Sequence, residues 1–269
     1  MRIARFQSAG SIFVGSPVDA QSARVIHGDI LGSSDDRWRV TNEVLNVDRW
    51  LAPIVPTDLL CIGLNYREHA LETGSEVPEN PMLFIKSSNA LSDPGTPIVV
   101  PRNSQQVDFE GELVVIIGKA ARHVSRADAL SHVLGYCVGN DVSARDWQKD
   151  KKLNGGQFAR GKSFDTFAPI GPWLVTADEV PNPNALTIET KVSGETLQSS
   201  TTADMIFDVA AIISSLSDTM TLRPGTAIFT GTPSGVGVAR KPQRFLRAGD
   251  VVEITIEKLG TLTNPVVAE

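Results

Sequence analysis

Three carboxylates open one of the most apolar stretches of the chain, Val107-Asp108-Phe109-Glu110-Gly111-Glu112-Leu113-Val114-Val115-Ile116-Ile117-Gly118. Alternate residues of an extended strand share a face, so Glu110 and Glu112 point the same way, about 6–7 Å apart. Two anions at that spacing repel one another unless something positive lies between them, and a hard divalent cation with oxygen ligands is the usual solution. An isolated Glu-x-Glu is more often a solvated strand end, because charged side chains mostly stay exposed. Two features favour a buried site here. Residues 114–117 are apolar on both faces, as a covered strand requires, and Gly111 leaves room for close backbone approach between the glutamates.

Other residue types that carry chemistry fall in four segments. Tyr136-Cys137-Val138 delivers Asp141 to a strand-to-helix turn in Asn140-Asp141-Val142-Ser143-Ala144-Arg145-Asp146, where it suits either an oxygen ligand or a helix cap. His69 and Glu72 are three residues apart after Gly63-Leu64-Asn65-Tyr66. On one helical turn the carboxylate can orient the imidazole and raise its basicity, although such a pair at a surface is worth only a fraction of a kcal/mol. Lys162, in Gly161-Lys162-Ser163-Phe164-Asp165, offers an ammonium to a carboxylate or an oxyanion, or is a solvated loop lysine. Thr230-Gly231-Thr232-Pro233-Ser234-Gly235-Val236-Gly237 has room for backbone N–H groups to face an anion, but lacks the lysine of a phosphate-binding loop. His27, His123 and His132 have no comparable neighbours and read as structural or surface residues.

The elements that must position these groups are mostly strands. Residues 59–63, 83–85, 98–100, 112–117, 170–175, 187–192, 226–230 and 251–256 are rich in apolar or β-branched residues and bounded by turn formers. Three helices are expected, at residues 125–134, at 143–152 and, most strongly, at 202–220, where Met205, Ile206, Val209, Ile212, Ile213 and Leu216 form one stripe. Strand and helix do not alternate regularly and no glycine-rich turn opens a helix after a strand, which excludes a doubly wound nucleotide fold. The expected class is mixed β with few helices (α+β). Short alternating strands in the first 50 residues suggest a small meander, and the two prolines of residues 50–56 mark a boundary. Residues 1–56 are therefore expected to form a small N-terminal β unit and residues 57–269 the main domain.

Composition narrows the partners. With 25 Lys and Arg against 31 Asp and Glu, the net charge of -6 and the lack of a basic stripe disfavour nucleic acid and anionic membranes. Cys61 and Cys137 each sit in an apolar run, as reduced core thiols do, and no signal or membrane-spanning stretch is evident. The expected setting is the cytoplasm, with a small-molecule substrate.

Taken together, in this order, these five segments resemble the fumarylacetoacetate hydrolase family, over about residues 59–267. The resemblance implies a β-roll fold in the C-terminal domain, a homodimer, and a Mg²⁺ or Mn²⁺ ion held by Glu110, Glu112 and Asp141. His69 and Glu72 match the family's water-activating pair, on a segment that orders over bound ligand. Lys162 matches a catalytic lysine near the metal, while Gln148, Thr232 and Arg145 match substrate contacts. The implied reaction is Mg²⁺-dependent hydrolysis of a C–C bond in an acylpyruvate-like diketo acid. An oxaloacetate-type decarboxylase and a 2-hydroxyhepta-2,4-diene-1,7-dioate-type isomerase are alternatives through the same enolate, and a metal-dependent keto-acid binding protein without turnover is the alternative of another class. Loops that include parts of the N-terminal segment and residues 154–159 are expected to line the distal pocket.

Overall fold

The computed structural model describes residues 1–32 and 38–269, apart from the side chain of Asn154. Its largest sheet runs in the order Arg39–Asn46, Ser22–His27, Ser11–Pro17, Arg2–Ser8, Ala168–Thr176, Val133–Asn140, Gly111–Ile117, Ala227–Phe229, Leu59–Ile62, Leu83–Lys86. Neighbours along this path are antiparallel except Ala227–Phe229 and Leu59–Ile62, which are parallel. A five-stranded sheet, Glu195–Thr201, Thr187–Val192, Val251–Ile256, Gly260–Ala268 and Ile98–Val100, covers it. Mixed β structure with few helices is what the sequence predicts.

The apolar run after Glu112 explains the centre of the molecule. Every residue of Gly111–Ile117 is buried, between strands Val133–Asn140 and Ala227–Phe229 that supply Cys137 and Phe229 opposite Val114. A strand covered on both faces carries no polar alternation. The first strand pairs Arg2 with Val175 and Ile3 with Leu174, so the N-terminal meander continues the main sheet. Phe6, Ala23 and Val25 form a small apolar cluster of their own, whereas Ile3, Ile26, Ala52 and Ile54 belong to the main core.

The helices differ most from expectation. Five α-helices occur among the described residues: α1 (Arg67–Thr73), α2 (Arg145–Lys149), α3 (Lys151–Asn154), α4 (Ala159–Lys162) and α5 (Val209–Thr219). The stripe at 202–220 is helical only from Val209, because the Asp208 side chain accepts from the Ala211 N–H at 2.8 Å and starts the helix there. Met205 instead bridges to Tyr66. Residues 125–134 are not an α-helix: the Ser125 hydroxyl donates to Asp128 at 2.6 Å and closes a turn, Ala129–His132 make one 3₁₀ turn, and Val133 begins a strand. The expected helix at 143–152 is split. Ser143–Ala144 pair with Val107–Asp108, and Asp150, extended at φ -79° and ψ 100°, separates α2 from α3. Among the strands that escape the sequence reading are Glu195–Thr201, largely polar, and Gly260–Ala268, whose apolar residues are interrupted by Thr, Asn and Pro.

Candidate active site

The short ladder between Val107–Asp108 and Ser143–Ala144 assembles the site. It lays the backbone of Glu110 beside that of Asp141, whose N–H donates to the Glu110 carbonyl at 2.9 Å. Asn140 fixes the approach by accepting from the Glu110 N–H at 3.0 Å. On the other side Gln198, buried in the second sheet, accepts from the Gly111 N–H at 3.0 Å. Position 111 must be glycine, because a Cβ there would lie 2.3 Å from Thr190 Oγ1 and 3.1 Å from Ile254.

The three carboxylates of Glu110, Glu112 and Asp141 converge as a result. All are buried, and one ligand atom from each lies within 4.8 Å of the others. Lys162 Nζ bridges two of them, 2.6 Å from Glu110 Oε2 and 2.5 Å from Asp141 Oδ2. Arg145 donates from Nη2 to Glu110 Oε1 at 2.6 Å, from Nε to Asp108 Oδ2 at 2.8 Å and from Nη1 to Gln148 at 3.0 Å. Lys86 Nζ approaches Asp141 Oδ1 at 2.7 Å from the far side.

This arrangement does not treat the acids alike. Burial disfavours the charged form of Glu110, but Arg145 and Lys162 outweigh it and hold its pKa far below the usual carboxylate range. Glu112 accepts a hydrogen bond from the Gly231 N–H at 2.8 Å. Burial, then the charges of Asp141 and Glu110, push its pKa well above the ordinary value. Burial lowers and Asp141 with Glu110 raise the pKa of Lys162, with a net rise; burial dominates at Lys86 and lowers it. Four buried acids, Asp108, Glu110, Glu112 and Asp141, face three buried bases, Lys86, Arg145 and Lys162. Converging carboxylate oxygens with one uncompensated charge suit a hard divalent cation.

The glycine-rich segment 230–237 turns its N–H groups toward anions, and the anions belong to the protein. Gly231 donates to Glu112, Gly235 to Glu72 Oε1 at 2.8 Å, and Gly237 to Asp108 at 2.8 Å. Gly231 and Gly235 have φ of +96° and +104°, and a Cβ on Gly235 would stand 2.0 Å from the Leu197 carbonyl oxygen.

His69 and Glu72 lie on α1, where His69 Nδ1 is 2.9 Å from Glu72 Oε2. Their side chains are 13% and 21% exposed, unlike the dry cluster below. The helix is about two turns long, ended by Gly74 in the left-handed region and tethered at its start by Arg67 and the Glu68 N–H to the turn at Asp204. A cavity of about 680 Å³ joins the two parts: His69, Glu110, Glu112, Gln148, Lys162 and Thr232 all line it. Asp141 and Glu72 are not among its lining residues but contact Lys162 and His69, which are. Thr232 Oγ1 donates to the Gly111 carbonyl at 3.0 Å and accepts from Gln198 Nε2 at 2.8 Å.

The structure therefore brings the nine sequence-selected residues to one place. Sequence reasoning missed Lys86, Gln198 and Asn65, and gave Asp108 no role. Asn65 joins the site's strands by donating to the Thr230 and Phe207 carbonyls and accepting from the Phe207 N–H. The one local signal for Lys86 was a charge ending the apolar run Leu83-Phe84-Ile85.

An oxygen-donor cluster of this kind, beside a histidine–glutamate pair on a mixed β scaffold, could hold a divalent cation next to a general base. Residues 58–267 match the model of the fumarylacetoacetate (FAA) hydrolase C-terminal domain, and the chain belongs to the fumarylacetoacetate hydrolase family. It is 45% identical to a fumarylacetoacetate hydrolase domain-containing protein 2 homolog of Dictyostelium discoideum, over 96% of this chain and 92% of that one. It is 49% identical to a mitochondrial oxaloacetate tautomerase of Xenopus laevis, over 81% of this chain and 68% of the relative. The fold matches a solved structure titled 2-hydroxyhepta-2,4-diene-1,7-dioate isomerase from Mycobacterium marinum, with a TM-score of 0.85, 40% identity and coverage of 100% and 99% of the two chains. Among the described residues no helix is long and apolar enough to cross a membrane.

Proposed function

We propose that this enzyme moves a proton between carbon and oxygen of a 2-oxo acid, as an oxaloacetate-type tautomerase or a 2-hydroxydienedioate-type isomerase, with Mg²⁺ or Mn²⁺ held by Glu110, Glu112 and Asp141. The observation that carries the reading is the buried, incompletely neutralised carboxylate cluster at the floor of the cavity that His69 enters. The activity names of the Xenopus and Mycobacterium relatives support proton transfer over the C–C hydrolysis expected from the sequence.

The roles of the residues follow from their positions. When bound, the divalent cation would supply Lewis-acid polarisation of the 2-oxo and carboxylate oxygens. His69, its Nδ1 tied to Glu72, is left with Nε2 to take the proton from the carbon next to the carbonyl and to return it at the other end of the enolate system. Lys162 places a positive charge beside the developing enolate oxygen, an arrangement worth several kcal/mol where water is excluded. Arg145 keeps Glu110 and Gln148 in place, and Gln148 and Thr232 face the substrate from the wall. Farther out, Met82, Phe84 and Phe158 give an apolar stretch and the exposed Lys149 and Lys151 stand at the mouth, which suits a second carboxylate on the substrate. The homodimer and the cytoplasmic setting complete the proposal; buried thiols at Cys61 and Cys137 suit a reducing compartment.

Hydrolysis is the second reading, favoured by the His69–Glu72 pair, which can equally take a proton from water. Proton NMR in D₂O separates the two. Enzyme-accelerated exchange of the C3 protons of oxaloacetate, without new products, is expected; release of pyruvate and a second acid from acetylpyruvate, with no such exchange, would replace the proposal by the hydrolase.

A further inference from the structure

Lys86 is a lysine without access to solvent. Its side chain is 0% exposed, at the end of the Leu83–Lys86 edge strand. The ammonium has three protons, and three backbone carbonyls take them: Val142 at 3.0 Å, Lys162 at 2.5 Å and Phe167 at 2.8 Å. Asp141 Oδ1 lies at 2.7 Å as the counter-charge, and no hydrogen bond with that oxygen completes its geometry. One group therefore touches the carboxylate of Asp141, the backbone that follows it and the residue that carries the Lys162 side chain.

We infer that Lys86 is a positioning residue for the carboxylate cluster. It holds Asp141 and the end of α4 in register, so that Asp141 Oδ2 and the Lys162 ammonium meet Glu110 at the floor of the cavity. The inference rests on the reading of Glu110, Glu112 and Asp141 as cation ligands but not on the reaction proposed above. Lys86 lines no part of the 680 Å³ cavity with His69 and Thr232, and it acts through Asp141 rather than on a substrate. Hydrogen-bonded neighbours behind metal ligands typically account for ~10–100-fold in metal affinity.

The test is a Mn²⁺ titration of the full chain, with free ion followed by electron paramagnetic resonance and the folded fraction fixed by circular dichroism. Lys86→Met, close to isosteric but uncharged, is expected to bind Mn²⁺ ~10–100-fold more weakly while remaining folded. Lys86→Gln, whose amide still donates to two of the carbonyls, should fall between it and the parent, and it carries the test if Lys86→Met does not fold. Folded variants with the parent's Mn²⁺ affinity would overturn the inference, as would failure of both variants to fold, which would make Lys86 a residue of the core alone. A parent that binds no Mn²⁺ would instead remove the cation reading itself; oxaloacetate turnover is not needed for any of these outcomes.

Discussion

The floor of the cavity and its edge are built on opposite principles. Glu110, Asp141, Arg145, Lys162 and Lys86 are buried and multiply paired across strands far apart in sequence. His69 and Glu72 ride on a seven-residue helix with one buried residue, Ala70, fastened by a few bonds at Arg67, Glu68 and Gly235. A site that must hold charge in fixed positions gains from the first design, and a group that must let substrate in and out gains from the second. The contrast also separates stability from chemistry, residue by residue.

The comparison breaks if the two regions respond alike to substitution. Arg145→Met leaves buried Asp108 without its counter-charge and Glu110 with Lys162 alone, and should cost about 3–5 kcal/mol of stability by urea unfolding. His69→Ala should leave stability within about 1 kcal/mol but reduce turnover by ~10²–10⁴-fold, measured as the rate of proton exchange. A large loss of stability in His69→Ala would end the distinction. Hydrogen exchange sharpens it: amides of Gly111–Ile117 should exchange only on global unfolding, and those of α1 and of Gly235 through local opening, faster and with little dependence on denaturant.

The smallest effect expected lies outside both regions. Arg223 hydrogen-bonds to Asp58 and lowers its pKa, against the modest effect of burial. A carboxyl with a depressed folded pKa contributes stability above its unfolded value, near 4, and loses that contribution as the pH falls through the folded pKa. The pair is partly exposed, so solvent screening keeps it to about 1 kcal/mol or less. The stability difference between the parent and Asp58→Asn should therefore be small at pH 7, begin to shrink as the pH falls below ~4 and vanish only below the depressed folded pKa.

What was legible in the sequence follows the same division. Glu110 and Glu112 announce themselves through local context, two charges at the head of a doubly apolar strand, whereas Asp141 suits a helix cap equally well and becomes a ligand only through the family resemblance. Lys86 was hidden because its partners lie 56, 76 and 81 residues away, and only the folded backbone gathers them. Periodicity overstated the helix at 202–220, since apolar stripes do not reveal that Asp208 caps and Met205 bridges to Tyr66. The strand Glu195–Thr201 carries Gln198 to the site, yet its polar sequence gives no strand pattern.

The most direct test of a cation-dependent proton transfer at this site is the decay of oxaloacetate enol absorbance with metal-stripped protein, before and after adding Mg²⁺, in the parent and in Glu112→Gln. Ketonisation should be fast only in the Mg²⁺-loaded parent and lost in Glu112→Gln. Equal rates with and without Mg²⁺, or full activity in Glu112→Gln, would contradict the account.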